Sequence, residues 1–281
     1  MLAYRHAFHA GNHADVLKHV VLLQLLRHMA LKDKGYRFVD VHAGAGRYAL
    51  DAPQALKKGE FHQGIGRLWP GDAGMPAPVA DYVQQVRCMN TDGELRCYPG
   101  SPLLAAQQLR AQDQLRLFEL HPTDHAALQA LLGHTRGVQV QRADGFAALK
   151  SQLPPPTRRA LVLLDPSYEG QADYARVAQT LGEALRRFAG GMYMVWYPLV
   201  TKPGAAEMLQ ALKALAPAGW VHARLTLQQP DAQGFGLLGS GVFVINPPYT
   251  LHAALHAALP WLLRSLRQYD GAQQLLEQRA A

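Results

Sequence analysis

The chain has 281 residues, 49% of them hydrophobic, so it can bury one large core or a core with a modest insertion. Its 28 Lys and Arg against 21 acids give a formal charge of +7, which favours an anionic partner, nucleic acid first among them, although a basic soluble enzyme shows the same excess. Two cysteines, Cys88 and Cys97, make no disulfide framework, the opening Met1-Leu2-Ala3-Tyr4-Arg5-His6 has no apolar signal core, and no stretch approaches the ~18 apolar residues of a membrane span; a cytoplasmic protein with no membrane contact is expected.

The first element is a helix over about 14–31, with Val16, Leu17, Val20, Val21 and Leu25 at helical spacing and Asn12 as its cap. Short apolar strands follow at 36–41, 115–120, 138–140, 160–164 and 192–196. Helical patterns at 123–133, 145–153, 171–189 and 204–215 lie between them, and strands alternating with helices imply a parallel sheet with right-handed crossovers. Near the end, 219–228 and 241–246 flank a Gly-rich loop and read as an antiparallel hairpin closing the sheet, with a C-terminal helix after it. The first two strands are separated by more chain than a crossover needs. The segment 51–99, with Trp69-Pro70-Gly71-Asp72, Pro76-Ala77-Pro78 and an amphipathic stretch near 79–89, is expected to be a small, mainly helical insertion in a single domain spanning 1–281.

Four strand ends carry polar groups in order. The first strand runs into Asp40-Val41-His42-Ala43-Gly44-Ala45-Gly46, where glycines let backbone approach a ligand. With Ala49 this satisfies the loose dinucleotide pattern, weak evidence alone. The next strand ends at Glu119, which can accept hydrogen bonds from a ribose. Asp144-Gly145 follows the third, and a plain helix cap would explain it in isolation.

The fourth strand end is Leu161-Val162-Leu163-Leu164-Asp165-Pro166-Ser167-Tyr168. An uninterrupted apolar run reads as a buried strand, and the acid, proline and aromatic are left at its carboxyl edge, where open α/β sheets bind ligands. Methyltransferases acting on an exocyclic amine of a base use an Asp/Asn-Pro-Pro-aromatic arrangement there; Ser167 replaces the second proline. Asn246-Pro247-Pro248-Tyr249 matches that arrangement better by letter, but it follows the closing hairpin. Asp165 is therefore the expected catalytic group and Asn246 a strand terminator.

Two other segments stand out. Pro99-Gly100-Ser101-Pro102 reads as a helix start with Ser101 as cap, returning from the insertion to the sheet edge where Ser101 can touch a cofactor. The opening through His19 is dense in imidazole. His6, His9 and His13 lack cysteine or acid at zinc-ligand spacing, so no metal is expected. Aromatic and cationic groups ahead of a helix suit a loop folding over a nucleotide, while His9 and His28 also fit surface histidines without a role.

Together, the opening through His19, the loop from Asp40 to Tyr48, Tyr98 to Pro102, Glu119 to Pro122, Ala143 to Phe146 and Asn246-Pro247-Pro248 closely resemble the bacterial 23S ribosomal RNA adenine-N6 methyltransferases of the J type. Members of that family have also been described as proteins for using external DNA. The resemblance implies a Rossmann-like class I fold and S-adenosylmethionine as cofactor, bound by His19, His42, Ser101, Glu119, Asp144, Gly145 and Asp165. It implies ribosomal RNA as partner, with a substrate contact by Tyr4 and with His6 and Lys18 nearby. Tyr168 is expected to stack on an adenine drawn out of its helix, and a monomer is expected. Two other readings compete: the same chemistry on DNA adenine or a protein amide, and a non-catalytic nucleic-acid-binding protein of DNA uptake.

Overall fold

In the computed structural model, which describes residues 5–201, 204–216, 218–233 and 236–280, helix α1 (His13–Ala30) starts where the sequence places it. The Asn12 side chain accepts hydrogen bonds from the Ala14 and Asp15 N–H groups, satisfying two donors of the first turn. Val16, Leu17 and Val20 through Leu23 are fully buried, so this helix is core on most sides.

The chain continues through β1 (Arg37–Asp40), β2 (Arg47–Ala49), α2 (Pro53–Lys58), α3 (Ile65–Leu68), α4 (Ala77–Arg87) and β3 (Cys97–Pro99). Next come α5 (Ser101–Gln107), β4 (Gln114–Phe118), α6 (Pro122–Leu132), β5 (Val138–Gln141), α7 (Gly145–Gln152) and β6 (Ala160–Leu164). The last part is α8 (Ala172–Arg187), β7 (Met192–Leu199), α9 (Ala205–Leu215), β8 (Trp220–Thr226), β9 (Gly239–Ile245), α10 (Leu251–Leu266) and β10 (Gln273–Arg279).

Eight strands form one sheet in the order β10-β8-β9-β7-β6-β1-β4-β5. β1 pairs in parallel with both β4 and β6, β4 with β5, and β6 with β7. Starting from β1 and counting only strands of this sheet, those five stand in the order 3-2-1-4-5, the Rossmann order, with its switch point between β1 and β6. β9 inserts antiparallel between β7 and β8, closing the sheet as a hairpin with β8. The fold is a Rossmann-like α/β sandwich.

Strand residues alternate between two cores. Leu161 and Leu163 face α1, α4 and α10, whereas Val162 and Leu164 face α7, α8 and α9. Burial on both faces explains why β6 reads as an unbroken apolar run. Between β2 and β3, the segment is mainly helical, and its Val79, Tyr82, Val83 and Val86 share the core of α1.

Three strands were not anticipated. β2 and β3, three residues each, pair antiparallel and draw the ends of this segment together. β10 pairs antiparallel with β8 at the sheet edge. No described helix is long and apolar enough to cross a membrane.

Candidate active site

The carboxyl ends of β1, β4, β5 and β6 open into one cleft of about 1200 Å³. Every described residue expected to bind cofactor or substrate lines it: His6, Lys18, His19, His42, Ser101, Glu119, Asp144, Gly145, Asp165 and Tyr168. Tyr4 lies outside the described residues.

Asp165 follows β6 and its Oδ2 accepts a hydrogen bond of 2.7 Å from Lys18 Nζ. Lys18 also pairs with Asp15 Oδ1 at 2.7 Å, one helical turn back on α1. Asp15 Oδ2 in turn meets His6 Nε2 at 2.9 Å and accepts the Gly11 N–H at 2.9 Å. Burial opposes the Lys18 ammonium, but the two carboxylates outweigh it and raise its pKa. Burial likewise opposes the Asp15 carboxylate, and His6 and Lys18 reverse that and hold it well below the usual range. Asp15 escaped sequence reading; its spacing of three from Lys18 on a helix was the available signal.

After β1 the chain turns at Gly44, φ +63°, and Gly46, φ +78°, conformations that favour glycine. The Gly44 N–H donates to Glu119 Oε2 at 2.8 Å and the His121 N–H to Glu119 Oε1 at 2.6 Å. Burial raises the Glu119 pKa, and these two N–H groups partly offset it. Half-buried His42 packs edge-on to Phe146 at 4.5 Å, and desolvation pushes its imidazole down to about 3, so it is neutral.

His19 is also neutral, pushed to about 3 by burial; its Nδ1 lies 2.7 Å from the Tyr98 hydroxyl, which is 2.8 Å from that of Tyr82. Ser101 is the first residue of α5, with Gly100 at the capping position. The expectation that Ser101 caps the helix is thus corrected: its hydroxyl donates to Asp40 Oδ2 at 2.6 Å. The reason is Asp40, a fully buried carboxyl pushed up to about 7 by desolvation, which competes for the Ser101 hydroxyl.

Asp144 does cap its helix, accepting the Phe146 N–H at 3.1 Å, and Arg176 holds its other oxygen. Burial opposes its charge but the guanidinium prevails and lowers its pKa. The Arg176 guanidinium also lies over the Phe146 ring, 4.5 Å from its centroid. A Cβ on Gly145 would come 2.0 Å from the Val41 carbonyl oxygen, so only glycine fits between that helix start and β1. Tyr168, at φ +52°, donates its hydroxyl to the Trp196 carbonyl at 2.7 Å and packs on Tyr174 at 4.5 Å. Its ring is a fixed wall of the cleft.

Asn246 is elsewhere. Ile245, the last residue of antiparallel β9, pairs with Tyr193 near the start of β7, so Asn246 sits at the opposite edge of the sheet. Its amide donates to the Ala189 carbonyl at 2.7 Å and to that of Gly191, tying down a loop. His9 is not idle: its Nδ1 meets Glu60 at 2.9 Å. His28 packs edge-on to Tyr249, away from the cleft.

The arrangement offers a charge-held carboxylate, a Gly turn beside a buried acid, neutral imidazoles and a rigid aromatic wall. A family model described as ribosomal RNA large subunit methyltransferase D, RlmJ, matches residues 33–276. The chain belongs to the RlmJ family. Two relatives, both named ribosomal RNA large subunit methyltransferase J, share this membership. The one from Escherichia coli (strain K12) is 44% identical over 262 residues, 93% of each chain. The one from Haemophilus influenzae is 43% identical over 267 residues, 95% of this chain and 94% of its own. A crystal structure of a Legionella pneumophila protein is 33% identical, with a TM-score of 0.87, covering 96% of this chain and 98% of that one. The RlmJ match spans the Gly44 turn, Glu119, Asp144 and Asp165, while His6, Lys18 and His19 precede it.

Proposed function

We propose that this chain transfers a methyl group from S-adenosylmethionine to the exocyclic N6 of an adenine in large-subunit ribosomal RNA. The observation that carries this reading is Asp165, fixed by buried Lys18 at a sheet edge that also holds the Gly44 turn and Glu119.

The cleft suits a nucleoside cofactor. Each Glu119 oxygen takes one N–H, leaving lone pairs for a ribose diol. His42 Nδ1 and His19 Nε2 are buried polar atoms that have no hydrogen-bond partner among the described residues, which a ligand can satisfy. Gly145 lines the cleft beside Asp144, packed so closely on Val41 that no side chain fits there. These residues, with Ser101 and Asp165, would hold the cofactor. When bound, S-adenosylmethionine supplies an electrophilic methyl group on a sulfonium.

The chain's own work is orientation. An adenine N6 lone pair is delocalised into the ring and is a poor nucleophile. With Oδ2 on Lys18, Asp165 has Oδ1 left as acceptor for an N6 hydrogen, which would orient the amine and draw its lone pair out of conjugation with the ring. The carboxylate also stabilises positive charge developing on that nitrogen and is the base we assign for its departing proton. Tyr168 would stack on the extruded base, with Tyr4, His6 and Lys18 as substrate contacts. We read the chain as one methyltransferase domain, 1–281, with 51–99 as an insertion, acting as a cytoplasmic monomer.

The test is methyl transfer from labelled S-adenosylmethionine to transcribed 23S ribosomal RNA and to duplex DNA, followed by nucleoside analysis. N6-methyladenosine in the RNA alone is expected. Transfer to DNA instead, or no S-adenosylmethionine binding by calorimetry, overturns the reading.

A further inference from the structure

β4 and β5 form the open edge of the large sheet. In the parallel register Arg37 stands beside Gln114, and Arg116 beside Gln139. Alternation puts all four on the face shared with α7, beyond whose end Gln139 is exposed and the two arginines are half-buried.

Arg37 donates from Nε and Nη2 to Gln114 Oε1, at 3.2 and 2.9 Å, and from Nη1 to the Gln152 carbonyl at 3.1 Å. Arg116 Nη2 reaches the same Gln114 oxygen at 3.1 Å, and its Nη1 donates to the Leu115 carbonyl at 2.9 Å. Every acceptor is neutral. Among the described residues neither guanidinium forms an ion pair, whereas Arg110, Arg27 and Arg176 each hold a carboxylate. Burial lowers the pKa of both, and Arg116 lowers that of Arg37 further.

Two like charges converging on one amide oxygen repel each other and are partly desolvated. Carbonyls orient their forks but cancel no charge. The end of α7, where the Gln152 carbonyl lies, accounts for Arg37 alone. The pair forms a fork held by hydrogen bonds whose missing component is an anion, and the planar guanidiniums suit a phosphate.

We propose that Arg37 and Arg116 bind a backbone phosphate of the RNA substrate outside the catalytic cleft, a proposal that rests on the RNA reading above. β1 carries Arg37 at its start and Asp40 at its end, so this site lies on the order of 10 Å from the cleft edge along the strand. One RNA stem can touch both. Free inorganic phosphate offers the same chemistry, and the test separates the two.

The decisive variant is Gln139→Glu, which sets a carboxylate beside Arg116 without removing any hydrogen bond of the pair; Arg116→Gln is its complement. Binding of a labelled RNA hairpin is followed by anisotropy across a salt series, with thermal melting confirming the fold. Both variants should weaken binding about tenfold at low salt and reduce the slope of affinity against salt by about one phosphate contact. Unchanged affinity and slope in folded Gln139→Glu overturns the proposal. So does a melting temperature that millimolar inorganic phosphate raises in the wild type but not in Gln139→Glu, with RNA binding unaltered, which assigns the pair to free phosphate. A wild-type chain that binds no RNA at all sinks this site together with the function beneath it, whereas intact RNA binding without methyl transfer touches the function alone.

Discussion

The Lys18 ammonium lies 2.7 Å from Asp165 on β6's exit and 2.7 Å from Asp15 on its own helix, so one buried cation serves two carboxylates. Only 4% of the Lys18 side chain is exposed. The ammonium fixes one oxygen of Asp165, a residue that lines the cleft, and it links that edge of the sheet to the amino-terminal loop through Asp15 and His6.

Lys18→Met removes that link. Two carboxylates lose their counter-charge, although Asp15 keeps His6 and the Gly11 N–H. Stability should fall by about 3 kcal/mol in urea unfolding, and single-turnover methyl transfer by ~100-fold as Asp165 loses its orientation. A folded variant with wild-type turnover contradicts the positioning role.

Glu119→Gln separates cofactor binding from chemistry. The carboxylate takes N–H groups from both Gly44 and His121, and an amide offers only one acceptor oxygen for them. Calorimetry should show S-adenosylmethionine affinity reduced about tenfold or more, with RNA binding unchanged. Equal loss of both ligands shows a collapsed loop rather than a cofactor contact.

Acid should destabilise the fold from near neutrality. His13, held down to about 4, and His19 and His42, at about 3, are all depressed by burial. Below 6.5 the unfolded chain binds protons that these folded histidines refuse, so their stabilisation, full at neutral pH, drains as pH falls towards 4. Asp40, raised to about 7, works in the opposite direction between 7 and its ordinary value. Three groups against one leave a net loss of roughly 1 to 3 kcal/mol per pH unit between 6 and 4.5. Urea unfolding across that range reads it; a flat or rising profile contradicts the buried neutral state.

The cleft was legible because its acids sit at strand ends, where apolar runs stop and polar residues begin. Leu161 to Asp165 shows that boundary plainly, since both faces of β6 are covered and no polar residue interrupts it. β10 was not legible: Gln273–Arg279 is a partly exposed edge strand, and its polar residues carry no period that separates strand from tail. Ser101 was misread because local capping rules do not include Asp40, a partner sixty-one positions away that only the fold supplies. Arg37 and Arg116 were invisible as a pair for the same reason: parallel register brings them together, and nothing in their spacing announces it.

The most direct measurement compares Asp165→Ala with Asn246→Ala in N6-methyladenosine formation on 23S ribosomal RNA, each variant first shown to be folded. Lys18 keeps Asp15 when Asp165 is truncated, so the first variant should fold and lose transfer by about 10²- to 10³-fold or more. The Asn246 side chain ties down loop carbonyls at the far edge, so the second should transfer at close to the wild-type rate wherever it folds. An active Asp165→Ala beside a folded, inactive Asn246→Ala would place the chemistry at the wrong edge of the sheet and contradict the account.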